Sequence, residues 1–197
     1  MAKYDFMSFG EAMVRFTPPV NDRLGQSEFL QLGIAAAELN CCVNISNLSC
    51  ELLKPTLKTA FVTKLVDSWD GMYIIKQAQA HGVDMSNVVV EKYDMVGRTR
   101  NGKCYIECGV GPRPSYQLYD RGHSAVSKIK PGDIDWEKVL DTRWFHSGGI
   151  VTAVGEYTAS EVAAALKAAK KNGATTSFDL NYRSTLWSKE AAQKAMV

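Results

Sequence analysis

The chain has 197 residues, 46% hydrophobic and 22% charged, the proportions of an ordinary globular domain large enough to bury a core. A net charge of +2 argues against nucleic acid, which needs a concentrated basic stripe. No apolar run reaches the roughly 20 residues of a membrane span, and an acid interrupts the apolar stretch of "MAKYDFMSFGEAM", so no membrane partner and no signal peptide is read.

In chain order, "YDFMSFG" is a strand ending at Gly10, and "MVRFTPP" alternates and stops at two prolines, a second strand. Ala35 to Leu48 suits a helix, with Ala37, Cys41, Ile45 and Leu48 on one face. "CELLKPTLK" reads as a loop and "TAFVTKLV" as a buried parallel strand. Asp67 to Gly71 is a turn before a helix from Met72 to His81, closed by Gly82. From Val88 to Asp120 the pattern changes to short alternating segments, "NVVVEKY", "GKCYIECG" and "SYQLYD", with no helix between them. The α/β rhythm then resumes. "PGDIDWEKVLD" is a short helix and "TRWFHSGGI" a strand. Thr158 and Glu161 form a capping box for a helix Ala159 to Asn172, with Val162, Ala165, Leu166 and Ala169 inward. "TTSFDL" is the next strand, and Ser188 opens a helix still running at Val197. Strand–helix alternation implies a mostly parallel sheet covered on both faces, an α/β fold.

Five cysteines, two of them the adjacent Cys41 and Cys42, read as free thiols of a reducing, cytoplasmic compartment. Cys104 and Cys108 lack zinc-pair spacing and His123 has no histidine partner, so no metal site is read. Ligands of open α/β sheets bind beyond the carboxyl ends of the strands. Gly10-Glu11, Asp67, Gly148-Gly149 and Asp179 to Arg183 all arrive at that edge. Arg183 suits a carboxylate or phosphate and Asn181 a hydroxyl or phosphate oxygen. The plain alternative is a capping turn with a surface arginine. In "YQLYDRGHSA", Tyr119 and Arg121 share one strand face, either as a sugar-acid contact or as an exposed hairpin whose aromatic packs on its neighbour. His146 reads as a core histidine.

The segments "DFMSFGEAMVRFTPP", "LKTAFVTKLVDSWDG", "PRPSYQLYDRGHSAVS", "WFHSGGI" and "SFDLNYRSTLW", in this order, resemble the PfkB (ribokinase-like) carbohydrate kinases, most of all the members acting on 2-keto-3-deoxygluconate. The resemblance implies a Rossmann-like αβα sandwich with a small antiparallel β lid. Residues 1–197 would be one incomplete domain of that fold, its lid an insertion at about 88–122 plus strand 13–18. It implies ATP-dependent phosphorylation of a sugar acid with Mg²⁺, and a possible homodimer through the lid. By the same resemblance Asn40, Tyr119, Arg121 and Arg183 are substrate-binding, and Asn181 lies near the transferred phosphate.

Two departures shape what is expected. Ala35-Ala36 stands where the family has a Gly-Gly pair, and two methyl groups there would crowd the sugar. The family's late glycine-rich turn ending in Gly-Asp, which carries the catalytic base and the anion hole, has no counterpart before Val197. The expectation is therefore the N-terminal portion of a longer kinase: no catalytic residue, no bound ATP or Mg²⁺ of its own, and no phosphoryl transfer by this chain alone. The alternatives are a noncatalytic or degenerate sugar-acid binder, and a fructokinase or nucleoside kinase of the same family.

Overall fold

A computed structural model describes residues 2–52 and 54–196; Met1, Leu53 inside the "CELLKPTLK" loop reading, and Val197 at the end of the last predicted helix lie outside the described residues. The elements follow in order as β1 (Tyr4–Phe9), β2 (Met13–Thr17), β3 (Gln31–Ala35), α1 (Ala37–Leu48), β4 (Cys50–Glu51), β5 (Lys54–Pro55), β6 (Thr59–Val62), β7 (Lys64–Val66), α2 (Trp69–Ala80), β8 (Val83–Asp84) and β9 (Val89–Glu91). Then come β10 (Gly102–Glu107), β11 (Tyr116–Asp120), α3 (Trp136–Val139), β12 (Thr142–Gly148), α4 (Gly149–Ala153), α5 (Thr158–Lys171), β13 (Thr175–Asp179) and α6 (Lys189–Met196).

The central sheet has the order β13-β12-β1-β6-β8, and every neighbouring pair is parallel. Its inner strands β1 and β6 bury side chains toward both faces because both are covered. Met7, Phe9, Ala60, Val62 and Phe145 pack with Trp136 of α3 and with Val162, Ala165 and Ala169 of α5. Phe61 and Phe6 pack on the other side with Leu39 and Cys42 of α1 and Ile74 and Ala78 of α2. Two helical layers around one parallel sheet make the αβα sandwich expected of a ribokinase-like chain.

A second, four-stranded sheet has the order β11-β10-β2-β3. It differs from the antiparallel lid expected from sequence. Its two outer pairs are antiparallel, but β10 and β2 run parallel. The reason is connectivity: both strands start from the central body, β2 directly after β1 and β10 after Asn101. Asn101 is buried there. Its Oδ1 accepts from Val66 N at 2.9 Å and its Nδ2 donates to Asp70 Oδ1 at 2.9 Å, so the root of β10 is tied to the start of α2. The sheet also takes in β3, a strand that "QLGIA" conceals behind Gly33 and two weak strand formers. Residues 88–101 lie outside it, since β9 pairs in parallel with β7.

Three local expectations change. The buried face of α1 is Glu38, Leu39, Cys42 and Ser46, one position round from the apolar face read from sequence, and Leu48 is 88% exposed. Polar Glu38 and Ser46 displace the pattern because each has a partner inside: Ser46 Oγ donates to His81 O at 2.6 Å, and Glu38 lies at the cleft described below. No capping box forms at α5, whose N-cap is Tyr157 with no side-chain cap. Thr158 Oγ1 donates instead to Thr152 O at 3.1 Å, and Glu161 Oε2 accepts from Trp136 Nε1 at 2.8 Å. Helix α2 starts at Trp69, inside the segment read as a turn, and the loop after α1 contains the short antiparallel pair β4–β5.

Gly149, where β12 turns into α4, has no room for a side chain: a methyl group would overlap the carbonyl oxygen of Leu180. Backbone cannot yield as a flexible side chain can, so Gly149→Ala should destabilise by about 1–3 kcal/mol. Gly25 is the control, because a methyl group there would meet nothing within 4 Å. Gly25→Ala should stay within about 0.5 kcal/mol of the wild type in urea unfolding.

Candidate functional site

Beyond the carboxyl ends of β1, β12 and β13, under one face of the second sheet, lies a cleft of about 570 Å³. Its base is acidic. Glu38, in the first turn of α1, is 2% exposed and fills the crevice between Gly10 and Gly148. A methyl group at Gly10 would overlap its carboxyl, and one at Gly148 would come within 2.8 Å of its Oε1. Burial, joined by the nearby charges of Glu11 and Asp179, pushes the Glu38 carboxyl up to about 7, against the opposing pull of Arg121. Its place in the first helical turn, at the positive end of the dipole, is favourable for the ionised form.

Glu11 follows β1 and is also buried. Its Oε1 accepts from Ser124 Oγ at 2.9 Å, and its Oε2 lies 3.2 Å from Arg121 Nη1. Burial raises its pKa, with Arg121 and then Ser124 pulling the other way. The Glu11–Arg121 contact is ionic but poorly aligned: Glu11 Oε2, Arg121 Nη1 and Arg121 Nε all lack a hydrogen-bond partner among the described residues. The Arg121 guanidinium carbon also sits 4.7 Å from the centre of the Tyr119 ring, a cation–π contact. Tyr119 and Arg121 thus share a face, as the period of two requires, and the Tyr119 hydroxyl donates to Gln117 Oε1 at 2.8 Å.

The opposite wall comes from the segment after β13. The Asn181 N–H donates to Asp179 Oδ1 at 3.0 Å, and Asn181 takes a φ of 35°, a tight turn an asparagine tolerates. The helix that follows is capped elsewhere, by Ser188 Oγ accepting from Ala191 N at 3.2 Å. Asn181 and Arg183 both line the cleft. Arg183 Nη1 donates to Tyr182 O at 3.1 Å, and the residue makes no ion pair among the described residues. Asn40, exposed on the second turn of α1, lines it as well. All five residues singled out from sequence therefore meet at one cavity. Ala36, φ −164° and ψ 130°, is in ordinary extended backbone, so alanine is unstrained there, although both Ala35 and Ala36 line the cleft.

The sequence reading missed two residues of the base and one of the roof. Glu11 was seen only as a strand end, and Glu38 and Arg15 were assigned nothing. The available signal was an acid inside the small-residue run "AAAELN" and a lone cation in "MVRFT". His146, read as a core histidine, is half-buried, its Nδ1 2.9 Å from Ser177 Oγ, and burial lowers its pKa. Among the described residues, no group of three or more His, Cys, Asp or Glu is arranged to hold a metal ion, and no helix is long and apolar enough to cross a membrane.

Residues 3–197 match the family described as pfkB family carbohydrate kinase. The chain belongs to this family. The PfkB chain is 35% identical over 191 residues to a 2-dehydro-3-deoxygalactonokinase of Haloferax volcanii, covering 97% of this chain and 56% of that protein. It is similar to a crystal structure of 2-dehydro-3-deoxygluconokinase from Thermotoga maritima, with a TM-score of 0.88 and 36% identity, over 98% of this chain and 56% of the other. A fructokinase of Solanum tuberosum is 27% identical over 192 residues, 96% of this chain and 56% of that enzyme. The PfkB chain thus spans somewhat over half the length of the relatives it matches.

The raised pKa of Glu38 makes a signed prediction for this kinase fold. A carboxyl held at about 7 when folded, against an ordinary 4.5, binds more protons folded than unfolded. Its contribution to stability is therefore complete below pH 4.5 and is lost as pH rises to about 7. Glu38→Gln, which mimics the protonated form, should gain on the wild type by on the order of 2 kcal/mol between pH 5 and pH 8 in urea unfolding. Parallel curves at the two pH values would contradict the assignment.

Proposed function

We propose that this chain supplies the sugar-acid-binding part of an ATP-dependent kinase, the acceptor being 2-keto-3-deoxygluconate or its galactonate epimer and the reacting group a terminal hydroxyl. The observation that carries this reading is the Arg121 guanidinium. It is largely buried, stacked on Tyr119, held 3.2 Å from Glu11, and part of the lining of the cleft. A guanidinium fixed in this way at the lining of a cleft is suited to a ligand rich in oxygen atoms. In this reading Tyr119 and Arg121 hold the sugar acid from the second sheet, Arg183 holds it from the wall after β13, and Asn40 contributes a hydrogen bond. Asn181 lies toward the hydroxyl that receives phosphate, where an amide stabilises spreading charge.

The names of the similar gluconate- and galactonate-type kinases support the substrate class. In the full reaction ATP donates its γ-phosphoryl group and Mg²⁺ offsets the charge on the phosphates. No cluster among the described residues is arranged to take the metal ion, and we assign no step to it. The base that deprotonates the hydroxyl is likewise assigned to no residue of this chain, and we propose that these 197 residues alone bind sugar without transferring phosphate. The fructokinase likeness supports a second reading, a neutral ketose as acceptor.

Calorimetric titration separates the two. With two cleft arginines serving an anion, 2-keto-3-deoxygluconate should bind on the order of a hundredfold more tightly than fructose. Equal affinities, or a preference for fructose, would sink the sugar-acid reading. Arg183→Ala should weaken the acid by about tenfold or more while leaving the melting temperature near that of the wild type, because an exposed side chain without an ion pair carries little stability.

A further inference from the structure

The second sheet brings a third arginine to the cleft. In its register Arg15 of β2 lies opposite Gly33 on one side and Cys104 on the other, and Cys104 lies opposite Tyr119. Residues directly opposite share a face, so Gly33, Arg15, Cys104 and Tyr119 form one row across four strands, on the face that Arg121 shares. Gly33 offers no side chain and Cys104 a small buried one. The Arg15 guanidinium uses that space: it folds back over β3, where a methyl group at Gly33 would come within 3.0 Å of its Nη2 and 3.1 Å of its Nε. Arg15 is exposed and lines the cleft. Among the described residues it has no ion-pair partner, whereas Arg121 faces Glu11 at 3.2 Å.

Charge accounting then distinguishes the two arginines. The charge of Arg121 is already opposed by a buried carboxylate, and a second buried acid, Glu38, stands in the same cleft. An anion entering from the second-sheet side therefore meets a weaker pull from Arg121 than an unopposed guanidinium would exert. Arg15 is the guanidinium on that wall whose charge nothing in the described structure offsets. It stands on a paired strand rather than a loop tip, with its guanidinium laid against the strand beside it, a pre-organised geometry for a carboxylate.

We propose that Arg15 is a specificity-determining residue that gives the carboxylate of the sugar acid a further contact from the second-sheet side, beside Arg121 and Arg183. This rests on the sugar-acid reading above.

The test is calorimetric titration of wild type, Arg15→Gln and Arg15→Lys with 2-keto-3-deoxygluconate, and of wild type with fructose. Arg15→Gln should lose about tenfold to hundredfold in affinity for the acid, the range of one charged hydrogen-bonded contact. Arg15→Lys should recover part of that loss, and added salt should weaken acid binding less in Arg15→Gln than in wild type. Acid binding by wild type with Arg15→Gln within about threefold of it, on the order of the scatter between equivalent surface substitutions, overturns the role of Arg15 alone. A lysine variant as impaired as the glutamine variant also overturns it, because shape rather than charge would then be at stake. A wild type that binds fructose and refuses the acid overturns the sugar-acid reading and this assignment with it.

Discussion

A carboxyl group wedged where two parallel strands end organises this molecule. Glu38 occupies space that only glycine can leave open at positions 10 and 148, and hydrogen bonds stitch the surrounding backbone into one unit. Ser8 Oγ donates to Glu38 O, Ser147 Oγ to Phe9 O, and Thr152 Oγ1 to Gly148 O, all within 3.0 Å. The ends of β1 and β12, the start of α1 and the start of α4 are thereby held in one geometry. Every wall of the cleft hangs from that unit. Glu11 follows Gly10 directly and draws in Arg121, while Leu180, against Gly149, positions the segment that presents Asn181 and Arg183. An apolar residue in place of Glu38 would avoid the desolvation cost, so the acid is there at the expense of stability, the usual signature of a site rather than of a core.

The features of the fold that rest on simple periods were legible in the sequence. Central strands such as "TAFV" are apolar throughout and flanked by helices, which leaves few topologies. The pairing of Tyr119 with Arg121 followed from the alternation of a strand. What escaped reading is what depends on contacts from elsewhere in the chain. The face of α1 was read one step off because Glu38 and Ser46 are polar yet buried. Thr158 and Glu161 have the spacing of a cap, but α3 and α4 supply other partners. Strand β3 exists because β2 offers it an edge, not because "QLGIA" prefers to be extended. Arg15 carries no signal of its own in "MVRFT", and only the strand register places it over Gly33.

The chemistry of the cleft follows from an imbalance that no single element contains. Two buried acids come from the central body, and three guanidinium groups come from two strands of the second sheet and from the turn after β13. The two buried acids would be costly without a guanidinium beside them. Together they leave a modest positive surplus surrounded by hydrogen-bond donors.

The central position of β1 has a consequence for how the chain is made. This strand is made before both of its neighbours, yet one of them is β12, and Ser147 bonds to Phe9 across 138 residues. At ordinary elongation rates that partner arrives on the order of ten seconds later. During that interval an apolar strand, buried on both faces in the finished protein, has only β6 beside it and one edge open. The nascent chain is thus exposed to mispairing throughout that interval, and its dependence on chaperones should be set by the order of its strands rather than by the stability of the completed sheet.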